Sequence, residues 1–161
     1  MEKIMMMKFN SPEWSRVDND SVSSYFIMLG FKTVGDVMAI RVFDLLNLNR
    51  INNNRAEEML LCIYRLLHPN RKLDEGIYNE EIDQYFSYRE WKKKHKQLKD
   101  VTVSDILLTE GINRAALLRI FDRVTSAFYK SSEYDSRTYL FDNLAELLKY
   151  RSSGGKEDNN G

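Results

Sequence analysis

Residues 31–60 read FKTVGDVMAIRVFDLLNLNRINNNRAEEML. Thr33 followed by Asp36 is a variant of the capping box, with Asp in place of Glu or Gln, and predicts the start of a short helix. Val42, Phe43, Leu45 and Leu46 make a second short helical cluster. Asn47 to Asn54 is rich in asparagine, which tolerates left-handed backbone, and predicts a turn. A longer helix then begins near Asn54. Its stripe is Ala56, Met59, Leu60, Ile63 and Leu67, at helical spacing, and Pro69 ends it.

Working outward, residues 1–17 form a lead-in from which Phe9 and Trp14 can dock on the body. Asp18, Asp20 and Ser21 offer caps for a first helix carrying Val22, Tyr25, Phe26 and Leu29, with Gly30 as its stop. Downstream, Asn79 can cap a long helix with Glu80 and Glu81 in its first turn. Its stripe is Ile82, Tyr85, Tyr88, Trp91, His95 and Leu98. Thr102 and Asp105 repeat the Thr33 and Asp36 arrangement. A helix from about Asn113 to Phe128 carries Leu117, Ile120, Phe121, Val124 and Phe128 on one face, and a last helix from about Ser136 to Arg151 carries Leu140, Leu144, Leu147 and Leu148.

This predicts an all-α fold of about seven helices. Residues 18–70 form a helix–hairpin–helix unit, 71–100 a connecting helix, and 101–151 a C-terminal helical hairpin that shares packing with the first unit. Residues 152–161 are polar, Gly-rich and expected to be disordered. Two pairs of segments echo each other: Thr33-Val34-Gly35-Asp36 with Thr102-Val103-Ser104-Asp105, and Asn54-Arg55-Ala56 with Asn113-Arg114-Ala115. The spacings differ by about ten residues and the stripes that follow differ in register, so a duplication stays open while chance similarity between two helix starts is the favoured reading.

Lys plus Arg and Asp plus Glu each number 24, a net charge of zero that argues against a sequence-independent nucleic-acid coat protein. One cysteine, Cys62, excludes an internal disulfide and a cysteine zinc site and reads as a small core residue. His68 and His95 are too few for a His-rich metal site. No phosphate-binding glycine loop, nucleophile elbow or Cys-His arrangement is present, so the expectation is a non-enzymatic protein with no cofactor. No apolar run approaches the ~20 residues that cross a bilayer, and the N-terminus does not read as a signal peptide, so the expected location is the cytoplasm.

From residue 22 to 67 the chain resembles the C-terminal domain of the bacterial RNA polymerase α subunit. The residues that carry it are Phe31-Lys32-Thr33-Val34-Gly35-Asp36-Val37-Met38, Phe43-Asp44-Leu45-Leu46, Asn49-Arg50-Ile51 and Glu57-Glu58-Met59. The resemblance implies a helix–hairpin–helix unit that binds the DNA minor groove and docks transcription regulators. Turn amides at a helix N-terminus would meet phosphate oxygens, and basic residues would sit nearby. The family's first-helix Arg position holds Ser21 and its neighbouring Asn position Ser24. The hairpin Gly is Asn52, the following basic pair is Asn53 and Asn54, and the Ser is Arg55, while Glu58 is kept. Asn52, Asn54 and Arg55 are therefore the candidate phosphate site.

The densest basic run holds Arg89, Lys92, Lys93, Lys94, Lys96 and Lys99. Lys92, Lys96 and Lys99 fall on one side of the expected helix and join the candidate nucleic-acid-binding set. Acids at that helix's start and bases at its end also suit the helix dipole, with Trp91 and His95 packing inward. Phe128, Tyr129, Tyr134, Tyr139 and Phe141 form an aromatic cluster suited to a protein partner. Two functions follow from these features: a DNA-associated, transcription-related binding protein, or a protein–protein interaction module without nucleic-acid contact.

Overall fold

In the computed structural model, which describes residues 2–16, 22–49, 51–69, 87–135 and 140–154, the regular structure is helical, joined by isolated backbone bridges. Eleven α-helices and one 3-10 turn occur among the described residues, against about seven expected. The excess lies largely in four-residue helices at 2–5, 12–15 and 132–135, which carry too few positions to show a period.

α1 (Glu2–Met5) and α2 (Pro12–Ser15) belong to the lead-in, which docks as expected. Phe9 and Trp14 are buried; Phe9 stacks on Phe26 at 4.1 Å, and the Trp14 indole N–H donates to Ser23 Oγ at 2.6 Å. α3 (Ser23–Met28) starts after Val22 with no side-chain cap, and Gly30 leaves it at φ +88°. Asp18, Asp20 and Ser21 lie outside the described residues. α4 (Val34–Met38) has the expected box: Thr33 Oγ1 accepts the Asp36 N–H at 3.3 Å, and the Asp36 carboxylate accepts the Thr33 N–H at 3.1 Å. Gly35 is there for proximity. A Cβ on it would sit 2.9 Å from the Met5 carbonyl oxygen, where α1 crosses α4.

α5 (Val42–Leu46) leads through a turn into α6 (Asn53–Leu67), capped by Asn52. The long helix expected from Asn79 to Leu98 differs in the structure. Residues 70–86 lie outside the described residues, and Ser87 caps α7 (Tyr88–Lys94) through the Glu90 N–H. The helix ends at His95 (φ −123°), and Leu98–Asp100 is a separate 3-10 turn. The chain has to leave the helical path there so that Val101 reaches Val42. α8 (Val103–Leu107), with a full box from Thr102 and Asp105, leads through a second turn into α9 (Arg114–Tyr129), capped by Asn113.

These four helices form one unit repeated at a constant spacing of 61 residues. Arg41 corresponds to Thr102, Asp44 to Asp105, Ile51 to Ile112 and Asn52 to Asn113. Both asparagine caps accept the N–H three residues on, at 2.8 Å. The turn hydrogen bonds repeat as well. Asn47 N–H to Phe43 O matches Leu108 N–H to Ser104 O, both 2.9 Å, and Ile51 N–H to Leu48 O (3.3 Å) matches Ile112 N–H to Thr109 O (3.2 Å). Buried stripes correspond too: Ala56, Met59, Leu60 and Ile63 with Leu117, Ile120, Phe121 and Val124. The echoes are therefore a structural repeat. Their register pairs Thr102 with Arg41, not Thr33, and Asn113 with Asn52, not Asn54.

A pseudo-two-fold relates the copies. Val42 N–H donates to Val101 O and Val103 N–H to Ile40 O, both at 2.9 Å, and these contacts exchange when residue numbers shift by 61. α9 then packs on α5 and α6 on α8, so each short helix is covered by the other copy's long one. At five residues α5 and α8 are too short to be stable alone. Caps contribute about 1 kcal/mol each and burial about 1.5–3 kcal/mol per large apolar side chain, so cross-packing is what holds them.

The last helix also starts later than expected. α10 (Ser132–Asp135) is followed by residues 136–139, outside the described set, and by a non-helical segment at 140–143. Phe141 bridges Leu48 there, and Asn143 caps α11 (Leu144–Ser152). Leu144 and Leu147 are buried while Leu140 and Leu148 are exposed, because Leu140 precedes the helix and Leu148 falls on its outer side. Of the expected tail, residues 152–154 are described, with Ser152 ending α11, and 155–161 lie outside the described residues.

Arg41 ties these parts together. Its five N–H groups donate to Asp44 (two), Glu133 (two) and Lys99 O, at 2.8–3.1 Å. Arg151 also donates to Asp44, and Asn47 to Glu133 at 2.9 Å. Burial opposes the Arg41 charge, but Glu133 and Asp44 outweigh it and hold the guanidinium above its ordinary range.

Two stability measurements check this account. Gly35→Ala forces α1 away from α4 and should lower stability by about 1–3 kcal/mol in urea denaturation, with unchanged helical CD. Arg41→Met leaves Asp44 and Glu133 without their shared cation and should cost on the order of 3 kcal/mol. A loss below about 0.5 kcal/mol in either variant contradicts the corresponding contact.

Candidate nucleic-acid interface

The first turn joins two helices and is not sealed in the core: Asn52 and Asn54 are exposed, and Ile51, Asn53 and Arg55 half-buried. Much of its hydrogen-bonding capacity is nevertheless engaged. Asn49 N–H donates to Phe141 O at 2.6 Å, and Phe141 N–H to Asn47 O at 2.9 Å. The Asn49 amide donates to Asp142 at 3.0 Å. The Asn52 side-chain oxygen is used by the cap, and Asn53 accepts from the Tyr129 hydroxyl at 2.8 Å. Asn54 is exposed.

Arg55 lies over the Tyr25 ring at 3.9 Å from its centroid and pairs with Glu58 at 2.7 Å. Its charge is thus partly answered within the protein. The carboxylates of Asp142 and Glu58 flank this turn, a poor setting for phosphate.

The lysines do not form the expected line on one helix. Lys92 is on α7, Lys96 in the extended stretch after it, and Lys99 in the 3-10 turn, where its carbonyl accepts from Arg41. No contact among the described residues joins these lysines to Arg55. Trp91 is buried as expected and its indole N–H donates to Asp105 O at 3.1 Å, which anchors α7 on α8. The His95 ring packs tilted against Trp91, with Nδ1 3.9 Å from Asp105 Oδ2.

The cations converge instead around Tyr88. Lys92 Nζ lies 5.0 Å from the centre of its ring, and the guanidinium carbons of Arg119 and Arg123 lie 5.2 and 5.3 Å from it. Lys92 follows Tyr88 by one helical turn, and Arg119 and Arg123 are one turn apart on α9, so two helices each supply an i, i+4 pair. Among the described residues no carboxylate pairs with any of the three; Glu90 pairs with Lys93 at 3.5 Å. Tyr88 falls on the expected core stripe, and the two arginines lie outside the expected set. The available signal was their i, i+4 spacing on the polar side of the α9 stripe.

Beside the first turn, Tyr129, Tyr134 and Leu140 are 40%, 53% and 51% exposed around a hollow lined also by Leu48, Ile51 and Glu133. Burial, with Tyr134 beside it, pushes the Tyr129 phenol above its ordinary range. Among the described residues no group of three or more His, Cys, Asp or Glu is placed to hold a metal ion, and no helix is long and apolar enough to cross a membrane. Comparison with protein-family models, with curated proteins and with solved structures finds nothing that matches this chain.

Proposed function

We propose that this protein is a non-enzymatic, DNA-associated binding protein built on two helix–hairpin–helix units, with a transcription-related role. The observation that carries this reading is the gap-free repeat of helix, turn and capped helix about the Val42–Val101 pseudo-two-fold. A two-fold protein unit suits a duplex, whose strands are themselves related by two-fold axes. The likeness of residues 22–67 to the polymerase α C-terminal domain supplies the link to transcription. The second turn supports the reading better than the first. Gly111 adopts φ +79° there, and no segment comparable to 140–143 pairs with it among the described residues. Its Glu110 is unfavourable next to phosphate, so cations elsewhere have to supply the attraction.

A second reading, a protein–protein interaction module, is favoured by the exposed Tyr129, Tyr134 and Leu140. Tyrosine offers broad contact area with a polar tip.

Fluorescence anisotropy with a labelled duplex separates the two. Under the first reading the full chain binds DNA, and affinity falls at least about tenfold between 50 and 200 mM salt. The double variant Tyr129→Ala/Tyr134→Ala should keep that binding. Absence of salt-dependent binding by the parent chain removes the DNA reading.

A further inference from the structure

We propose that Lys92, Arg119 and Arg123, gathered on the ring of Tyr88, form a site for the phosphodiester backbone of DNA, distinct from the asparagine-rich first turn. This rests on the DNA reading above and names the surface that carries it.

The site is assembled by two anchored helices. Ser87 caps α7, and Trp91, one turn from both Ser87 and His95, is fixed by its bond to Asp105 O. Tyr88 stacks near-parallel to Trp91, with 13° between the planes, so its ring is held against the core. α9 is pinned along its buried stripe and presents Arg119 and Arg123 on its exposed side. Each cation is drawn to the electron-rich ring, and this shared attraction orders three long side chains that would otherwise sample many rotamers.

With each cation about 5 Å from one ring centre, no two can be further apart than about 10 Å, close to one Debye length at 0.1 M salt. They repel one another without full screening, and among the described residues no carboxylate relieves them. In a chain of zero net charge, three such cations without a carboxylate partner among the described residues mark a place that an external anion stabilises.

The geometry favours a phosphodiester chain. One strand of a duplex places a phosphate every ~3.4 Å along the axis, so closely spaced cations on long side chains face a run of successive phosphates. Two of the three groups are guanidiniums, which grip phosphate oxygens in pairs. With cations crowding the Tyr88 ring, a base has little room to stack on it, so the contact positions the backbone and does not read sequence.

The test uses the full chain and a labelled duplex across a salt series, with folding of every variant checked by CD. Lys92→Ala/Arg119→Ala/Arg123→Ala should make the slope of log K against log salt shallower by about 2.7, near 0.9 for each phosphate no longer neutralised. A control that removes three exposed lysines elsewhere, Lys3→Ala/Lys32→Ala/Lys149→Ala, should change it by less than about 1. Tyr88→Phe should preserve affinity and Tyr88→Leu should weaken it. If the parent binds DNA and the triple variant keeps the parental slope, or the control lowers it equally, the site is overturned while the DNA reading stands. If the parent binds no duplex, both fall. If these three residues are needed only for binding a poly-glutamate peptide, the occupant is an acidic protein segment and the DNA site is wrong.

Discussion

Two backbone hydrogen bonds set the architecture. Val42 donates to Val101 O and Val103 to Ile40 O, and each bond sits where a short helix begins. An N–H in the first turn of a helix has no partner within that helix, so each start is satisfied by the chain leading into the other. The reciprocity fixes the two starts side by side. Turns with matching hydrogen bonds then carry each long helix back over the opposite short one. The result is a single apolar core to which both copies contribute throughout.

On this nearly symmetric frame the outer residues diverge, and function belongs to the divergence. Glu58 and Cys62 of the first copy occupy the positions of Arg119 and Arg123 in the second. An acid and a buried thiol on one side thus become two exposed cations on the other. Phe43 packs on Phe128, while its counterpart Ser104 donates to Met38 O. The first turn is overlaid by Phe141 and ringed by carboxylates; the second lies beside the basic end of α7. The first copy has become the attachment point for the C-terminal segment, leaving the second to present charge.

What could be read in advance follows the range of the forces involved. The boxes at Thr33 and Thr102 and the α9 stripe depend on residues three or four apart, and they form as expected. The continuous helix through Leu98 does not form, because Trp91 bonds to Asp105 and Val101 to Val42, pairings invisible in the local apolar spacing. The repeat stayed hidden for a related reason. Arg41 stands where Thr102 stands in the other copy, and although Asp44 accepts the Arg41 N–H at 3.2 Å, a guanidinium has no acceptor with which to complete a box. Thr33 carried the more similar tetrapeptide and drew the comparison eight residues upstream. The candidate site was legible in charge and not in place: Lys92 was in the expected set, but the arginines that join it come from a helix whose stripe concealed them.

The central bridge also bears on how fast the chain reaches its native form. Helical proteins usually fold quickly because most of their contacts are local. Here the defining contact joins segments about sixty residues apart, and the entropy of closing so long a loop is lost before α5 or α8 gains its cover. The topology therefore adds long-range contacts that a helical chain of purely local packing lacks. On these grounds the meeting of the two copies is expected to be slow beside the assembly of each helix.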